Sequence, residues 1–204
     1  MSSPPAPPGT AGILLAAGGG SRLGQPKALV ELGGQTLAAR GAALLRAGGA
    51  DPIVVVTGAA PIALPGVTLV HNPGWRTGMG SSLIAGLRAL AGQPPSCHAV
   101  VIALADQPLI GPESVRRLIA AHTAGAQVAV ASYDGRPRNP VLIDRAHWPE
   151  LLATTTGDTG ARPFLRAHPD LVAQIDCTGT GRPDDIDTPG DLTRARQAVE
   201  RTPR

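Results

Sequence analysis

The sequence predicts an α/β fold of Rossmann-like type: a single domain with a mostly parallel, twisted sheet and helices on both faces. Short apolar runs alternate along the chain with segments of helical periodicity, a pattern typical of β-α-β units. Several of these runs are continuously apolar, as expected for parallel strands that are covered on both sides. The length of 204 residues fits one domain, since about 100–200 residues per domain is usual.

Turn residues separate the predicted elements in the first part of the chain. The apolar run 11–17 ends in glycines, as a buried strand does before a loop. Gly48 and Gly49 are a C-terminal capping signal, and Pro112 suits the first turn of a helix. The elements predicted here are strands at 11–17, 52–57, 67–70, 99–104 and 127–131 and helices at 36–47, 81–91 and 111–122.

The alternation weakens after residue 132. Residues 133–140 are rich in turn formers, and 141–143 are predicted to be one arm of a hairpin. The remaining predicted elements are a helix at 161–167, a strand at 171–175 and a helix from 188 to about 200.

These elements define the expected domain organisation. Residues 1–10 are expected to form a disordered lead, and 11–204 a single domain. Within it, the change of pattern after residue 132 separates a first half, 11–132, from a second half, 133–204.

Composition excludes several classes of protein. The chain contains no apolar stretch of membrane-spanning length and no signal-peptide pattern, so we expect a cytoplasmic protein that does not contact the membrane. The net charge of +3 comes from scattered arginines without a basic run, which argues against nucleic-acid binding. Two cysteines and five scattered histidines offer neither a disulfide framework nor zinc-ligand spacing.

A glycine-rich loop follows the first predicted strand, Gly18-Gly19-Gly20-Ser21-Arg22-Leu23-Gly24-Gln25-Pro26-Lys27. Such a loop lets backbone N–H groups approach phosphate oxygens. It is not a dinucleotide fingerprint, because Leu23 occupies the third glycine position, and it lacks the Lys-Ser/Thr pair of a P-loop. The loop is therefore either a phosphate loop of another type, with Arg22 and the only lysine of the chain, Lys27, or an ordinary strand-to-helix turn.

Carboxylates at two places are candidate metal ligands. Asp106 follows the strand 99–104 and is expected at the carboxyl edge of the sheet, where open α/β folds bind ligands; the alternative is a capping or loop aspartate. A second group of acids precedes the last helix, where Thr188 and Asp191 form a capping-box pattern that favours a structural role for Asp191.

The segment Gly78-Met79-Gly80-Ser81-Ser82 precedes a predicted helix. Its free N–H groups and hydroxyls suit a base or ribose, although either serine can instead cap the helix. Trp75 is close enough in sequence to line the same cleft, whereas Trp148 is expected to pack in the core.

Residues 15–27 resemble the signature loop of nucleotidyltransferases with a glycosyltransferase-A-like fold. Further motifs, in the same order, resemble the molybdenum cofactor cytidylyltransferase branch of that superfamily, and the resemblance extends from Ile13 to Leu192. These motifs are Asn72-Pro73, Gly78-Met79-Gly80-Ser81-Ser82-Leu83, Asp106-Gln107-Pro108 and Gly157-Asp158-Thr159-Gly160-Ala161-Arg162.

This resemblance implies a fold of the nucleotide-diphospho-sugar transferase type and a site for a nucleoside triphosphate. It makes 11–132 the expected nucleotide-binding half and 133–204 the expected acceptor-binding half. It assigns catalysis to Arg22, Lys27 and Asp106, with both cations on the triphosphate and Lys27 nearest the α-phosphate. It assigns the expected cofactor, Mg²⁺, to Asp106 and to Asp187, in preference to Asp185. The nucleotide-binding residues that it implies are Leu15, Ala16, Ala17, Gly18, Gly19, Gly20, Ser21, Gly78, Met79, Ser81 and Ser82.

The resemblance also implies the two substrates. Relatives that transfer guanylyl groups tend to have Ala-Gly-Gly where this chain has Ala16-Ala17-Gly18, which favours CTP over GTP. The implied acceptor is a phosphorylated small molecule, molybdenum-bearing molybdopterin first, and a molybdoenzyme or its chaperone is a possible receiver of the product. GTP, a sugar or polyol phosphate, and a non-catalytic role in cofactor delivery remain alternatives. The acceptor-binding residues that it implies are Asn139, Pro140, Asp158, Gly160 and Arg162.

Overall fold

Strands and helices alternate along most of the chain, as the sequence predicts. The computed structural model describes residues 9–92 and 97–201. Its strands are β1 Gly9–Leu15, β2 Glu31–Leu32, β3 Gln35–Thr36, β4 Ile53–Thr57, β5 Thr68–His71, β6 Cys97–Leu104, β7 Val128–Tyr133, β8 Arg136–Asp144 and β9 Val172–Asp176. Its α-helices are α1 Leu37–Ala47, α2 Met79–Ala91, α3 Pro112–Thr123, α4 Trp148–Thr154, α5 Arg162–Ala167 and α6 Pro189–Glu200.

The main sheet has seven strands in the order β5-β4-β1-β6-β8-β7-β9. Neighbouring strands are parallel except for β8, which is antiparallel to both β6 and β7. The mostly parallel sheet predicted from the apolar runs is therefore confirmed. Because β8 runs in the opposite direction, its N-terminal half lies at the same edge of the sheet as the C-terminal end of β6.

Side chains on alternate positions of the central strands build a core on each face of the sheet. Leu14 packs with α1 and α3 on one face, whereas its neighbour Ile13 packs with α2, α4 and α5 on the other. Phe164 and Trp148 belong to this second core and are 0% and 3% exposed. Helices thus cover both faces, as predicted, and Trp148 packs in the core as expected.

The boundary of the predicted disordered lead is wrong at its last two residues. Gly9 and Thr10 belong to β1, where they pair with Cys97 and Ala99 of β6, and Thr10 is buried. The strand starts earlier than its apolar run because backbone pairing with β6 does not require apolar side chains. The rest of the lead, residues 1–8, lies outside the described residues.

The turn-rich interpretation of residues 133–140 is also wrong for most of that stretch. Only Asp134 and Gly135 form the turn, with φ values of 50° and 72°, and β8 begins at Arg136. A register irregularity between Val130 and Ser132 accompanies the pairing of β7 with Pro137. Proline is tolerated in strands at such irregularities, which is why its presence does not prevent this strand.

Two small elements were not predicted from the sequence. The hairpin of β2 and β3 has strands of two residues each, too short to show a period. Helix α4 has seven residues, with a proline in its first turn. In the described part of the chain, no helix is long and apolar enough to cross a membrane.

Candidate active site

A cleft of about 1670 Å³ opens at the carboxyl ends of β1 and β6. Ligands bind at this edge in open α/β sheets. The antiparallel β8 brings Asn139 to the same place, since Val141, two residues further along β8, pairs with Ile102 near the end of β6. The cleft collects residues from both predicted halves of the chain: Leu15, Ala16, Ala17, Gly18, Arg22, Lys27, Gly78, Met79, Ser82, Asp106, Asn139, Asp158, Arg162 and Asp187.

Six residues predicted for the site do not line this cleft: Gly19, Gly20, Ser21, Ser81, Pro140 and Gly160. Three of them, Gly20, Gly160 and Pro140, lie next to residues that do line it. Gly20 has φ 60°, and a Cβ there would lie 2.1 Å from the carbonyl oxygen of Gln25, so only glycine fits this turn. Gly160 lies against the Met79 sulfur, and Pro140 is buried within β8.

Lys27 joins the two candidate metal ligands. Its Nζ donates hydrogen bonds to Asp106 Oδ2 at 2.6 Å and to Asp187 Oδ1 at 2.5 Å. Arg22 pairs with the other oxygen of Asp187, Oδ2, at 3.0 Å. Three chain segments that are far apart in sequence therefore meet in one charged cluster at the base of the cleft.

The cluster fixes the charges of its members. Burial lowers the pKa of Lys27, but the charges and hydrogen bonds of Asp106 and Asp187 outweigh burial and raise that pKa above its ordinary value. The hydrogen bond from Lys27 lowers the pKa of Asp187, burial opposes this effect, and the charges of Lys27 and Arg22 reinforce it. Lys27 and Asp187 are thus both charged at neutral pH.

The donor set fits one hard divalent cation held together with a substrate. The Asp106 and Asp187 oxygens converge within 2.6 Å of a single point, which is at present the Lys27 ammonium. In the described part of the chain, no group of three or more His, Cys, Asp or Glu side chains could hold a metal ion. Mg²⁺ is usually bound by one or two carboxylates of the protein together with phosphate oxygens of the substrate, so the residues present fit such an ion.

Asp187 is presented to Asp106 by a segment that packs on the end of β6. The N–H of Ile186 donates to the Asp106 carbonyl at 2.8 Å, and the Ile186 side chain is buried. Its neighbour Asp185 accepts a hydrogen bond from Gln107 Nε2 at 2.9 Å, away from Lys27. Desolvation and the negative charge of Asp106 raise the pKa of Asp185. The geometry favours Asp187 over Asp185 as the second ligand.

Sequence reasoning missed the anchoring role of Gln107. Its side chain is 4% exposed and joins the end of β6 to the segment that carries Asp187. Only its position next to Asp106 marked it, because a buried glutamine has no sequence pattern of its own.

The glycine loop is braced by an aromatic side chain. A Cβ on Gly19 would lie 2.8 Å from the Trp75 ring, and one on Gly58 would lie 2.6 Å from it. Both glycines thus allow Trp75 to pack directly on the loop, and Trp75 lines the cleft as expected. The Arg76 guanidinium stacks 4.4 Å from the Trp75 ring centre, so the ring is covered by the protein itself.

The N-terminus of α2 differs from the expectation of free donors. The Met79 N–H donates to Asp158 Oδ1 at 3.0 Å, and the Gly80 N–H donates to the Gly157 carbonyl at 2.9 Å. The serine hydroxyls do not cap this helix; both accept hydrogen bonds from the Asn72 side chain. Asp158 therefore caps α2, because the loop that carries it packs face to face with the loop that begins this helix.

Gly78 permits this contact between loops. Its φ of 117° favours glycine, and a Cβ would lie 2.4 Å from the backbone of Gly157. The motif expected to bind nucleotide and the motif expected to bind acceptor are thus in direct contact.

Unpaired cations line the second half of the cleft. Arg138 and Arg162 are exposed, line the cleft and form no ion pair with any described carboxylate. Arg22 and Lys27, in contrast, are both paired. A guanidinium without a partner is suited to a phosphate or carboxylate of a ligand.

Comparisons with known proteins show which family and fold this chain resembles. The profile of the "MobA-like NTP transferase domain" matches residues 12–172. "Nicotine blue oxidoreductase" of Paenarthrobacter nicotinovorans is 38% identical over 194 residues, covering 89% of this chain and 93% of that protein. The crystal structure of an Rv0371c homologue from Mycobacterium sp. strain JC1 superposes with a TM-score of 0.80 at 31% identity, covering 94% of this chain and 97% of the other. The manganese complex of Rv0371c from Mycobacterium tuberculosis gives a TM-score of 0.74 at 28% identity, covering 94% of this chain and 100% of the other.

Proposed function

The chain belongs to the family of MobA-like NTP transferase domains, which makes it a nucleotidyltransferase of that type, and we propose that it transfers a cytidylyl group from CTP to a phosphorylated small molecule. The observation that carries the proposal is the Lys27–Asp106–Asp187 cluster beside the glycine loop in one cleft. It combines a cation for phosphates with two carboxylates for a divalent ion. A triphosphate needs both.

The reaction is an in-line displacement at the α-phosphorus of CTP. An oxygen of the acceptor phosphate forms the new P–O bond, the bond to the β-phosphate breaks, and pyrophosphate leaves. A phosphate monoester is already largely dianionic at neutral pH, so no protein base is required to activate it. Positioning and charge stabilisation therefore supply most of the catalysis.

Lys27 and Arg22 are the cations proposed to stabilise the charge that develops on the leaving pyrophosphate. Lys27 is tied to Asp106 and Asp187 in the free protein. Binding of the triphosphate offers its ammonium new phosphate partners, and it turns from the carboxylates towards them. Arg22 is 66% exposed and is free to swing from Asp187 in the same direction.

The carboxylates that Lys27 releases are proposed to hold Mg²⁺ together with the phosphates. When bound, the ion neutralises phosphate charge and favours in-line geometry. The manganese complex of the related Rv0371c is consistent with a divalent ion in this family.

The acceptor is proposed to occupy the half of the cleft near Arg138, Asn139 and Arg162. The unpaired guanidiniums there suit an anionic acceptor, and molybdenum-bearing molybdopterin is the first candidate, with a molybdoenzyme or its chaperone as the receiver of the product. The base is proposed to lie against Ala16 and Ala17, which both line the cleft. Relatives that transfer guanylyl groups tend to have glycine at the position of Ala17, so alanine there favours CTP over GTP.

Pyrophosphate release tests the proposal. The protein is incubated with each of the four NTPs, Mg²⁺ or Mn²⁺, and either molybdenum-bearing molybdopterin or a sugar or polyol phosphate, with Asp106→Asn as the inactive control. We expect release with CTP and molybdenum-bearing molybdopterin only. If GTP is the only nucleotide that yields pyrophosphate, the donor is GTP and not CTP. If a sugar or polyol phosphate is the only acceptor that supports release, the proposed acceptor is wrong. A protein that binds molybdopterin but releases no pyrophosphate with any NTP would be a delivery protein.

A second candidate function is an oxidoreductase, which the name of the 38% identical relative favours. The chain lacks the third glycine of the dinucleotide fingerprint, since Leu23 stands there, and this argues against a nicotinamide dinucleotide in the glycine loop. To separate the two functions, the protein is mixed with nicotine blue and NADH or NADPH, and the absorbance of the dye is followed over time. A protein-dependent colour change without pyrophosphate release in the first assay would favour the oxidoreductase.

A further inference from the structure

We infer that Asp191 is a positioning residue for the second metal ligand: its carboxylate holds the Asp187 backbone so that the Asp187 side chain faces Asp106. The inference rests on the proposed function, in which Asp106 and Asp187 hold a divalent ion. Asp191 itself does not touch Lys27 or Asp106, and the sequence alone gives it only a structural role in capping α6.

The hydrogen bonds of Asp191 extend beyond a capping box. In a capping box, the third residue of the helix accepts the N–H of the capping residue, here Thr188, at 2.7 Å. The same oxygen, Asp191 Oδ2, also accepts the Thr188 hydroxyl at 2.7 Å and the N–H of Asp187 at 3.1 Å. The Asp191 carboxylate therefore holds the backbone N–H of Asp187, the proposed metal ligand.

The backbone of residues 186–189 is held at three points, and the hydrogen bond from the Asp187 N–H to Asp191 is the one at the metal ligand itself. The Ile186 N–H is fixed to the Asp106 carbonyl on one side of Asp187, and Pro189 begins α6 on the other. Between them, the Asp187 N–H donates only to Asp191 among the described residues. Partners that orient metal ligands in this way typically change metal affinity or activity by about 10- to 100-fold when removed.

Arg194 fixes the carboxylate from the outside. It pairs with Asp191 Oδ1, which leaves Oδ2 for the backbone of residues 187 and 188. Arg194 is 68% exposed, so the pair contributes little by itself to the stability of the fold.

Thr188 offers a matched control, because its hydroxyl caps the helix without contacting the Asp187 N–H. Thr188→Ala removes the hydroxyl that accepts the Asp191 N–H and donates to Asp191 Oδ2, but it leaves the backbone N–H groups of residues 187 and 188 free to donate to Asp191. Asp191→Ala removes those acceptors while the Thr188 hydroxyl still caps the helix. Both variants disturb the start of α6, but only the second releases Asp187.

The test is Mn²⁺ binding measured by electron paramagnetic resonance, with a CTP analogue whose α,β-bridge cannot be cleaved. We expect Asp191→Ala to raise the Mn²⁺ dissociation constant about 10-fold or more, and Thr188→Ala to leave it close to that of the unsubstituted protein. Asp191→Asn keeps an amide oxygen for the backbone N–H groups and should lie between them. If Asp191→Ala does not fold, the Mn²⁺ affinity of Asp191→Asn, compared with that of Thr188→Ala, tests the inference instead.

Equal Mn²⁺ affinity in all variants would overturn the inference, and so would equal losses in Thr188→Ala and Asp191→Ala, which would indicate a general disturbance of the helix start. Failure of the unsubstituted protein to bind Mn²⁺ with the analogue would instead remove the proposed function on which the inference rests.

Discussion

Lys27 offers the sharpest perturbation of the candidate site. In the free protein its ammonium occupies the point at which the Asp106 and Asp187 oxygens converge, so it competes there with a divalent ion. Lys27→Met removes the charge and retains an unbranched stem of similar length. The substitution should therefore have opposite effects on two measurements: tighter metal binding without nucleotide, and slower nucleotidyl transfer.

The size of each effect follows from the contacts. A hydrogen bond to a charged group contributes about 1.5–3 kcal/mol. Lys27 donates two such bonds, one to Asp106 and one to Asp187, but its side chain is 19% exposed to water. We therefore count the free energy of one bond for the two together. That free energy corresponds to roughly 10- to 100-fold tighter metal binding. Loss of a positive group that stabilises developing charge typically lowers kcat by about 10²–10³-fold.

The assays are Mn²⁺ titration of the nucleotide-free protein and pyrophosphate release with CTP. Arg88→Met, on the exposed side of α2 and outside the cleft, is the control for loss of one positive charge. Unchanged or weaker Mn²⁺ binding in Lys27→Met would refute the competition between lysine and metal. Transfer that remains within a few-fold of the unsubstituted rate would refute the role of Lys27 on the triphosphate.

The remaining predictions concern the loops, the fold and the aromatic brace. Gly78→Ala should lower the free energy of unfolding by about 1–3 kcal/mol in urea titrations, because its Cβ would meet the facing loop. Gly125→Ala, with a similar φ but open space, should cost less; an equal cost would show that the loop contact contributes nothing. Burial acts to raise the pKa of Asp144, but the hydrogen bonds from His122 and the Ala146 N–H, together with the charges of His122 and His147, outweigh burial and lower that pKa. The stabilisation is therefore present above the unfolded pKa near 4 and is lost as pH falls through the folded pKa. Asp144→Asn should accordingly unfold more easily at pH 6, and its difference from the unsubstituted protein should shrink below pH 4; a constant difference contradicts this. Trp75→Ala should raise the KM for CTP more than it lowers kcat, since it frees the glycine loop, and a change in kcat alone would argue against bracing.

The fold was accessible from the sequence where local signals were strong. The continuous apolar runs located the central strands to within about two residues, and Thr188 with Pro189 located the start of the last helix. The turn-rich stretch failed because two prolines masked a strand whose place in the sheet depends on a register irregularity with β7. Such pairing is a tertiary effect that local propensity does not contain.

The site was accessible as a set of residues but not as an arrangement. Glycine spacing and the acids at strand and helix ends identified Lys27, Asp106 and Asp187. Nothing in the sequence shows that Lys27 bridges a residue 79 positions away and another 160 away. The same holds for the N-terminus of α2: its donors looked free, but Asp158 from a distant loop caps it.

Nucleotide binding in the cleft is the central claim, and thermal unfolding with each of the four NTPs in the presence of Mg²⁺ tests it most directly. A ligand at about 100 times its dissociation constant stabilises the native state by about 2.7 kcal/mol. For a domain of this size, that corresponds to an increase in Tm of roughly 5–10 °C. We predict this shift with CTP, and a much smaller one with GTP, ATP and UTP. An unchanged Tm with all four nucleotides would contradict the account.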